Sequence, residues 1–185
     1  MIFLSDLTAI LFFTLTASIL ALPTSSVSPG CTNAVFNPTF STGSLDPWLD
    51  FVTGSWAARG ITTTSSGSHV YTARSNSSVV TATLSLSQSN VKLVAGTTVE
   101  CYTWVHTERA TGETRVEVFL DAMPCGRLVA LEPESGWTKV EGTVVVGEGD
   151  LHVQHTISVS VQGDGVMGAS GWSVDVGEVG VGEGC

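Results

Sequence analysis

The chain has 185 residues, with 17 acidic against 7 basic side chains and a formal charge of −10 at neutral pH. So acidic a chain, with no basic stripe, is repelled by phosphate backbones, which excludes nucleic acid as a partner. The length suits one ordinary domain, large enough to bury a real core.

Residues 1–21 read as a secretory signal peptide. Leu7 to Leu22 is mainly apolar and Ile19-Leu20-Ala21 offers a small-residue cleavage site, although the segment before it carries Asp6 and neither Lys nor Arg. The apolar run is shorter than the ~20 residues a spanning helix needs, so no membrane association is expected after cleavage. Residues 22–30 (LPTSSVSPG) form a Pro/Ser/Gly spacer with nothing to bury. The remaining 31–185 is expected to be one secreted, extracellular and monomeric domain.

After Cys31 no helical spacing of apolar residues persists. Runs of period two recur instead, separated by turn residues. Val80, Ala82, Leu84 and Leu86 alternate with Thr and Ser. Val99, Cys101, Thr103 and Val105 alternate with Glu100, Tyr102, Trp104 and His106. Thr114, Val116, Val118 and Leu120 alternate with Arg115, Glu117, Phe119 and Asp121. Val140, Val144 and Val146 alternate with Lys139, Glu141 and Thr143. The clearest run is Leu151 to Gln162, whose odd positions are apolar apart from His155. The breaks fall at Ser65-Ser66-Gly67, Ala95-Gly96, Ala110-Thr111-Gly112, Glu134-Ser135-Gly136 and Gly147-Glu148-Gly149. Short strands at this spacing, each with one buried and one wet face, predict an all-β, antiparallel two-sheet sandwich.

Cys31, Cys101, Cys125 and Cys185 are an even set in a secretory context, hence a disulfide framework with three conceivable pairings. None sits in a CxxC, and no His stands at zinc-finger spacing, so no metal site is expected from them. His152 and His155 are three apart on a strand and point to opposite faces, which excludes a shared ion; His155 reads as a core histidine with one hydrogen bond. Asn76-Ser77-Ser78 is a glycosylation sequon.

The order of motifs carries a resemblance. Cys31 to Trp48 (CTNAVFNPTFSTGSLDPW) resembles the N-x-x-F-E-x-G-x-x-x-x-W opening of the cellulose- and xylan-binding carbohydrate-binding modules of families 4, 9 and 22. Leu84 to Gln88, followed by Val94 to Val105, is similar to their central L-x-Q and Y-x-x-S-x-x-V segments. Gly136-Trp137 through Thr143 is similar to their W-x-x-x-x-G-x-F, and Gly171 to Val176 to their closing D-D-V strand. The match spans about residues 31–181. It implies a jelly-roll sandwich and, because terminal strands lie side by side in such folds, the pairing Cys31–Cys185, with Cys101–Cys125 meeting across adjacent strands. In the family, an acidic residue after the Phe and aspartates of the closing strand hold a structural calcium. Here Ser41 replaces the acid and only Asp175 survives, so calcium is not favoured and no cofactor is expected.

The resemblance implies binding of a polysaccharide or glycan. Sugar sites combine flat aromatic faces with flanking polar groups. If strands 99–106 and 114–121 are neighbours, Tyr102 and Trp104 stack on sugar rings while Glu100, His106, Arg115, Glu117 and Asp121 bond hydroxyls. The rival reading puts Tyr102 and Trp104 in the core, as aromatics in strands usually are. Trp48, Trp137 and Trp172 read as core or lid. Catalysis would need a convergent acid pair or a nucleophile with its base; Glu132, Glu134, Glu148 and Asp150 all sit by turns, and no Gly-x-Ser-x-Gly or phosphate loop occurs. No enzyme is expected. The alternatives are a structural or cell-surface sandwich without a ligand site and, more distantly, a polysaccharide-active enzyme.

Overall fold

The computed structural model describes residues 30–75, 82–109, 114–147, 154–163 and 172–185. The expected signal peptide, most of the spacer, Asn76 and His152 lie outside the described residues.

The described chain forms eleven strands: β1 (Leu49–Thr53), β2 (Ala58–Thr63), β3 (His69–Ser75), β4 (Ala82–Val91), β5 (Thr98–His106), β6 (Thr114–Leu120), β7 (Met123–Pro124), β8 (Val129–Ala130), β9 (Thr138–Val145), β10 (His155–Gly163) and β11 (Trp172–Gly182). The helical content among the described residues is a single 3-10 turn at Pro133–Ser135. One sheet has the order β1-β4-β10-β6-β7, with β8 also pairing β6; the other has the order β2-β3-β11-β5-β9. Every strand pairing among the described residues is antiparallel. From β3 to β6 and again from β9 to β11, each connection carries the chain from one sheet to the other, which is the jelly-roll path.

The period-two runs explain the layers. Leu84 and Leu86 on β4, Val99, Cys101 and Val105 on β5, Val116 and Val118 on β6, Ile157, Val159 and Val161 on β10, and Val174 and Val176 on β11 all point inward and are buried. Burying each of these Leu, Ile and Val side chains contributes about 1.5–3 kcal/mol. Phe40, Trp48 and Tyr71 close one end as tilted aromatic pairs. Trp172 meets Trp56 edge-on at 4.5 Å.

The opening motif is a hydrogen-bonded knot. The Asn37 side chain donates to the carbonyls of Ser44 and Asp46, and the Trp48 indole donates to the Asn37 carbonyl. Gln88, buried, bonds both the N–H and the carbonyl of Phe36 at 2.8 Å each, so the L-x-Q residue pins the N-terminal segment to β4. That segment runs beside β11, with Ala34 N–H on the Val181 carbonyl and Val179 N–H on the Pro38 carbonyl. Cys31 and Cys185 therefore meet, with Cα atoms 4.5 Å apart, and Cys101 bridges to Cys125 at 6.0 Å, the two pairings the family resemblance implies. Cys125 lies on a strap, residues 121–131, that leaves β6 and crosses to β9. There the backbone of Cys125-Gly126 rests directly on Glu141-Gly142, and a Cβ on Gly142 would overlap the Cys125 carbonyl.

Candidate functional site

β5 and β6 are not neighbours. β5 lies between β11 and β9 in the five-stranded sheet, whereas β6 pairs β10 in the six-stranded one. The chain crosses the sandwich between them, so their wet sides face opposite directions. Glu100, Tyr102, Trp104 and His106 share one outer face; Arg115 and Glu117 share the other. Asp121, just past β6 with φ +56°, accepts from His155 Nδ1 at 2.9 Å and from the Thr156 N–H at 2.8 Å. This corrects the expectation of one surface: no single ligand touches all seven. Alternation placed each residue on the right side of its own strand but carried no information about which strands pair. His155 is buried with that one side-chain bond, as the strand pattern predicts.

On the five-stranded face most polar groups are already engaged with one another. Arg74 on β3 donates from Nη2 to both Asp175 oxygens at 3.0 and 3.2 Å, and His106 Nδ1 lies 3.3 Å from Asp175 Oδ2. Burial pushes the Asp175 carboxyl up, but the bond to His106, the Arg74 charge and a bond from Thr72 outweigh it and leave the group below the usual carboxylate range. Arg74 brings the positive charge a calcium ion would bring, so the residues around Asp175 do not fit calcium. His106 in turn packs against the Trp137 ring at 5.6 Å. Tyr102 is buried, with its ring laid across Gly180 and its hydroxyl donating to Glu178 Oε1 at 2.7 Å; burial and that bond hold its pKa far above the ordinary phenol value. Lys139 covers the exposed side of the ring, its Nζ 4.9 Å from the centroid, and pairs with Glu141. Trp104 is half-buried between Glu178 on β11 and Lys139 on β9. Two rows away, at the Glu100 end of β5, a hollow of about 300 Å³ is lined by Glu100, Glu141, Gly142 and Thr143.

The six-stranded face is built differently. Across β1, β4, β10 and β6 the register aligns Leu49, Ser87, Ser158 and Phe119 in one row. Phe51, Ser85, Ser160 and Glu117 form the next, and Thr53, Thr83, Gln162 and Arg115 the third. Leu49 and Phe51 each remain 59% exposed. The hydroxyls touch one another, Ser87 to Ser158 and Ser85 to Ser87 at 2.9 Å and Thr53 to Thr83 at 2.6 Å, but each hydroxyl has one donor and two acceptor sites, so every row keeps capacity for an outside partner. Sequence reasoning missed Phe51, Ser85, Ser87, Ser158, Ser160 and Gln162. The serines were visible as the wet side of their strands, but a serine in a strand carries no signal of its own, and Phe51 sits in a strand of only five residues.

No protein-family model matches the chain, and no curated protein is similar to it. Solved structures share the fold. A family 61 carbohydrate-binding module, determined in complex with β-1,4-galactotriose, is 20% identical with a TM-score of 0.57, over 81% of this chain and 97% of that one. A putative sugar-binding protein from Bacteroides thetaiotaomicron is 10% identical with a TM-score of 0.52, over 82% and 99%. The enzymatically active domain of tailspike protein 4 of bacteriophage CBA120 is 14% identical with a TM-score of 0.54, over 81% of this chain but 21% of that one. At these identities the likeness is one of fold: the chain is a β-sandwich of the kind used by carbohydrate-binding modules.

Proposed function

We propose that the protein is a secreted, non-catalytic carbohydrate-binding domain whose glycan lies across the strands of the six-stranded face. The observation that carries this reading is Phe51, an aromatic ring projecting into solvent beside rows of half-buried hydroxyls. Strands stand about 4.8 Å apart, so a sugar chain running across them meets a new polar column at each strand. Phe51 and Phe119 would support ring faces, and Ser85, Ser160, Gln162, Arg115 and Glu117 would bond hydroxyls. Arg115 and Glu117 balance in charge, which suits a neutral polysaccharide. Glycoside hydrolysis uses two carboxyl groups around one bond, whereas Glu117 shares its row with hydroxyls and a phenyl ring. The resemblance to families 4, 9 and 22 and the solved sugar-binding neighbours support the same reading, as does a disulfide-stapled domain behind an apolar leader. A glycan on Asn76 and a monomeric state belong to it.

Affinity on such a surface is weak, because hydrated hydroxyls are exchanged for protein hydrogen bonds at little net gain; dissociation constants on the order of micromolar to millimolar are expected. The test is retention on insoluble β-1,4-galactan, cellulose and xylan, comparing wild type with Phe51→Ala. Loss of retention at an unchanged melting temperature supports the assignment. Retention by neither protein on any of the three favours a sandwich without a ligand site, and undiminished retention by the variant moves the glycan off this face.

A further inference from the structure

We infer that the outer face of the five-stranded sheet is a second, separate binding surface, and that its ligand is a sugar chain carrying free amino groups, of the glucosamine type. This does not depend on the neutral-glycan assignment of the opposite face. Glu100, Glu108, Glu141, Asp175 and Glu178 stand on this side against Arg74 and Lys139, so it is net negative where the other face is balanced. It also holds an alkylammonium already, from its own chain. Lys139 Nζ sits over the Tyr102 ring and pairs with Glu141, an aromatic face and a carboxylate closing on one cation. Cation–π contact of this kind is the general means by which aromatic faces recognise amines.

One row further along β5, a carboxylate with no lysine upon it has space for a ligand. Glu100 faces the hollow of about 300 Å³ on its β9 side, with Thr143 across from it; on its β11 side the Thr32 carbonyl closes over Gly182. Among the described residues its carboxylate has no hydrogen bond or ion pair. On the other side of Tyr102, half-buried Trp104 offers an indole to the apolar face of a ring. Four residues of strand separate Trp104 from Glu100, roughly 13 Å, so an amino-sugar chain laid along β5 would set one ring against Trp104 and the ammonium of a later unit against Glu100. An N-acetylated or uronic acid chain would lose the charge contact or reverse it.

The test is titration calorimetry of the whole protein at about pH 5.5, where amines are protonated and glutamates ionised. The probes are glucosamine hexaose, its fully N-acetylated counterpart, and hexalysine. The amine-bearing sugar should bind at least about tenfold tighter than the acetylated one. Its affinity should fall as salt rises from about 0.1 M to about 1 M, which shortens the screening length from about 10 Å to about 3 Å. Glu100→Gln and Trp104→Phe should each weaken it several-fold, while Phe51→Ala leaves it unchanged. Both substitutions on this face are conservative enough to fold, and a melting curve checks each. Equal binding of the two sugars, binding of neither, or an unaffected Glu100→Gln overturns the proposal. Hexalysine binding as tightly as the amino sugar overturns the sugar assignment in favour of a basic peptide. Because Phe51→Ala reports on the opposite face, failure here is distinguishable from failure of the neutral-glycan reading.

Discussion

Gly142 lies on β9 opposite Cys101 of β5, and a Cβ built there would collide with the Cys125 carbonyl and with Gly126 Cα. All the atoms it would meet belong to backbone, so no side chain can swing aside; either the strap of residues 121–131 lifts or β9 moves. The Cys101–Cys125 bridge opposes the first and the pairing of β9 with β5 opposes the second. Inserting a methyl into a tightly packed contact costs about 1–3 kcal/mol and occasionally more, and Gly142→Ala belongs at the upper end. At about 2–4 °C per kcal/mol for a domain of this size, the melting temperature should fall by roughly 6–12 °C. Gly147, just beyond the same strand, has open space around its Cβ position and an ordinary φ, so Gly147→Ala should be neutral or stabilise by about 0.4–1 kcal/mol. Scanning calorimetry of the pair separates a steric cause from a general intolerance of alanine. With Cys101 and Cys125 both changed to serine, the strap is free to lift and the Gly142→Ala penalty should shrink by about 1 kcal/mol, within the range for contacting sites. A Gly142→Ala protein that melts with the wild type would refute the close approach, and a penalty indifferent to the bridge would refute its role in holding the strap.

Two further outcomes follow from the bridges and the buried charges. Cys31–Cys185 spans 154 positions and Cys101–Cys125 spans 24, so the chain-entropy estimate assigns them about 5 and about 3.5 kcal/mol. Urea unfolding of the two double-serine variants should show the terminal bridge to be the costlier loss, and the reverse order would point to strain or residual structure instead. The Asp175 carboxyl is held below its ordinary value of 3.8 despite its burial, through His106 and Arg74. Its contribution to stability is therefore fully present above that value and is lost as pH falls through the lower folded one. The stability gap between wild type and Asp175→Asn should be constant near neutrality and narrow between about pH 5 and pH 2; a gap that widened on acidification would contradict the arrangement.

Much of the sandwich was legible because burial on one side writes itself into alternation. β4, β5, β6, β9 and β10 were recognisable from Val, Leu and Ile at every second position. β1 and β2 were not, being short edge strands where both sides reach water and the alternation fades. Tyr71 was unreadable for another reason: it lies inward on β3 among Thr, Ala and Ser, residues that serve either side of a sheet equally well. The pairing of cysteines followed from the fold once the resemblance supplied it. The ligand surface did not, because placing Tyr102 and Arg115 on one face requires knowing that their strands share a sheet, and pairing between strands is a long-range fact that local periodicity does not contain. The interpretation of Tyr102 also turned on Gly180 and Lys139, partners that come from two other strands.

The bridge between Cys31 and Cys185 changes how the domain would bear load. Tension applied at these two positions passes through a covalent link between Cα atoms 4.5 Å apart and never enters the sheets. Once the link is reduced, the same pull acts on the N-terminal segment and β11 from the end where both cysteines sit, and parts their hydrogen bonds one after another, Ala34–Val181 before Pro38–Val179. A domain pulled from both of its ends at once, as a link in a longer chain is, would keep its sheets undistorted as long as its surroundings stay oxidising.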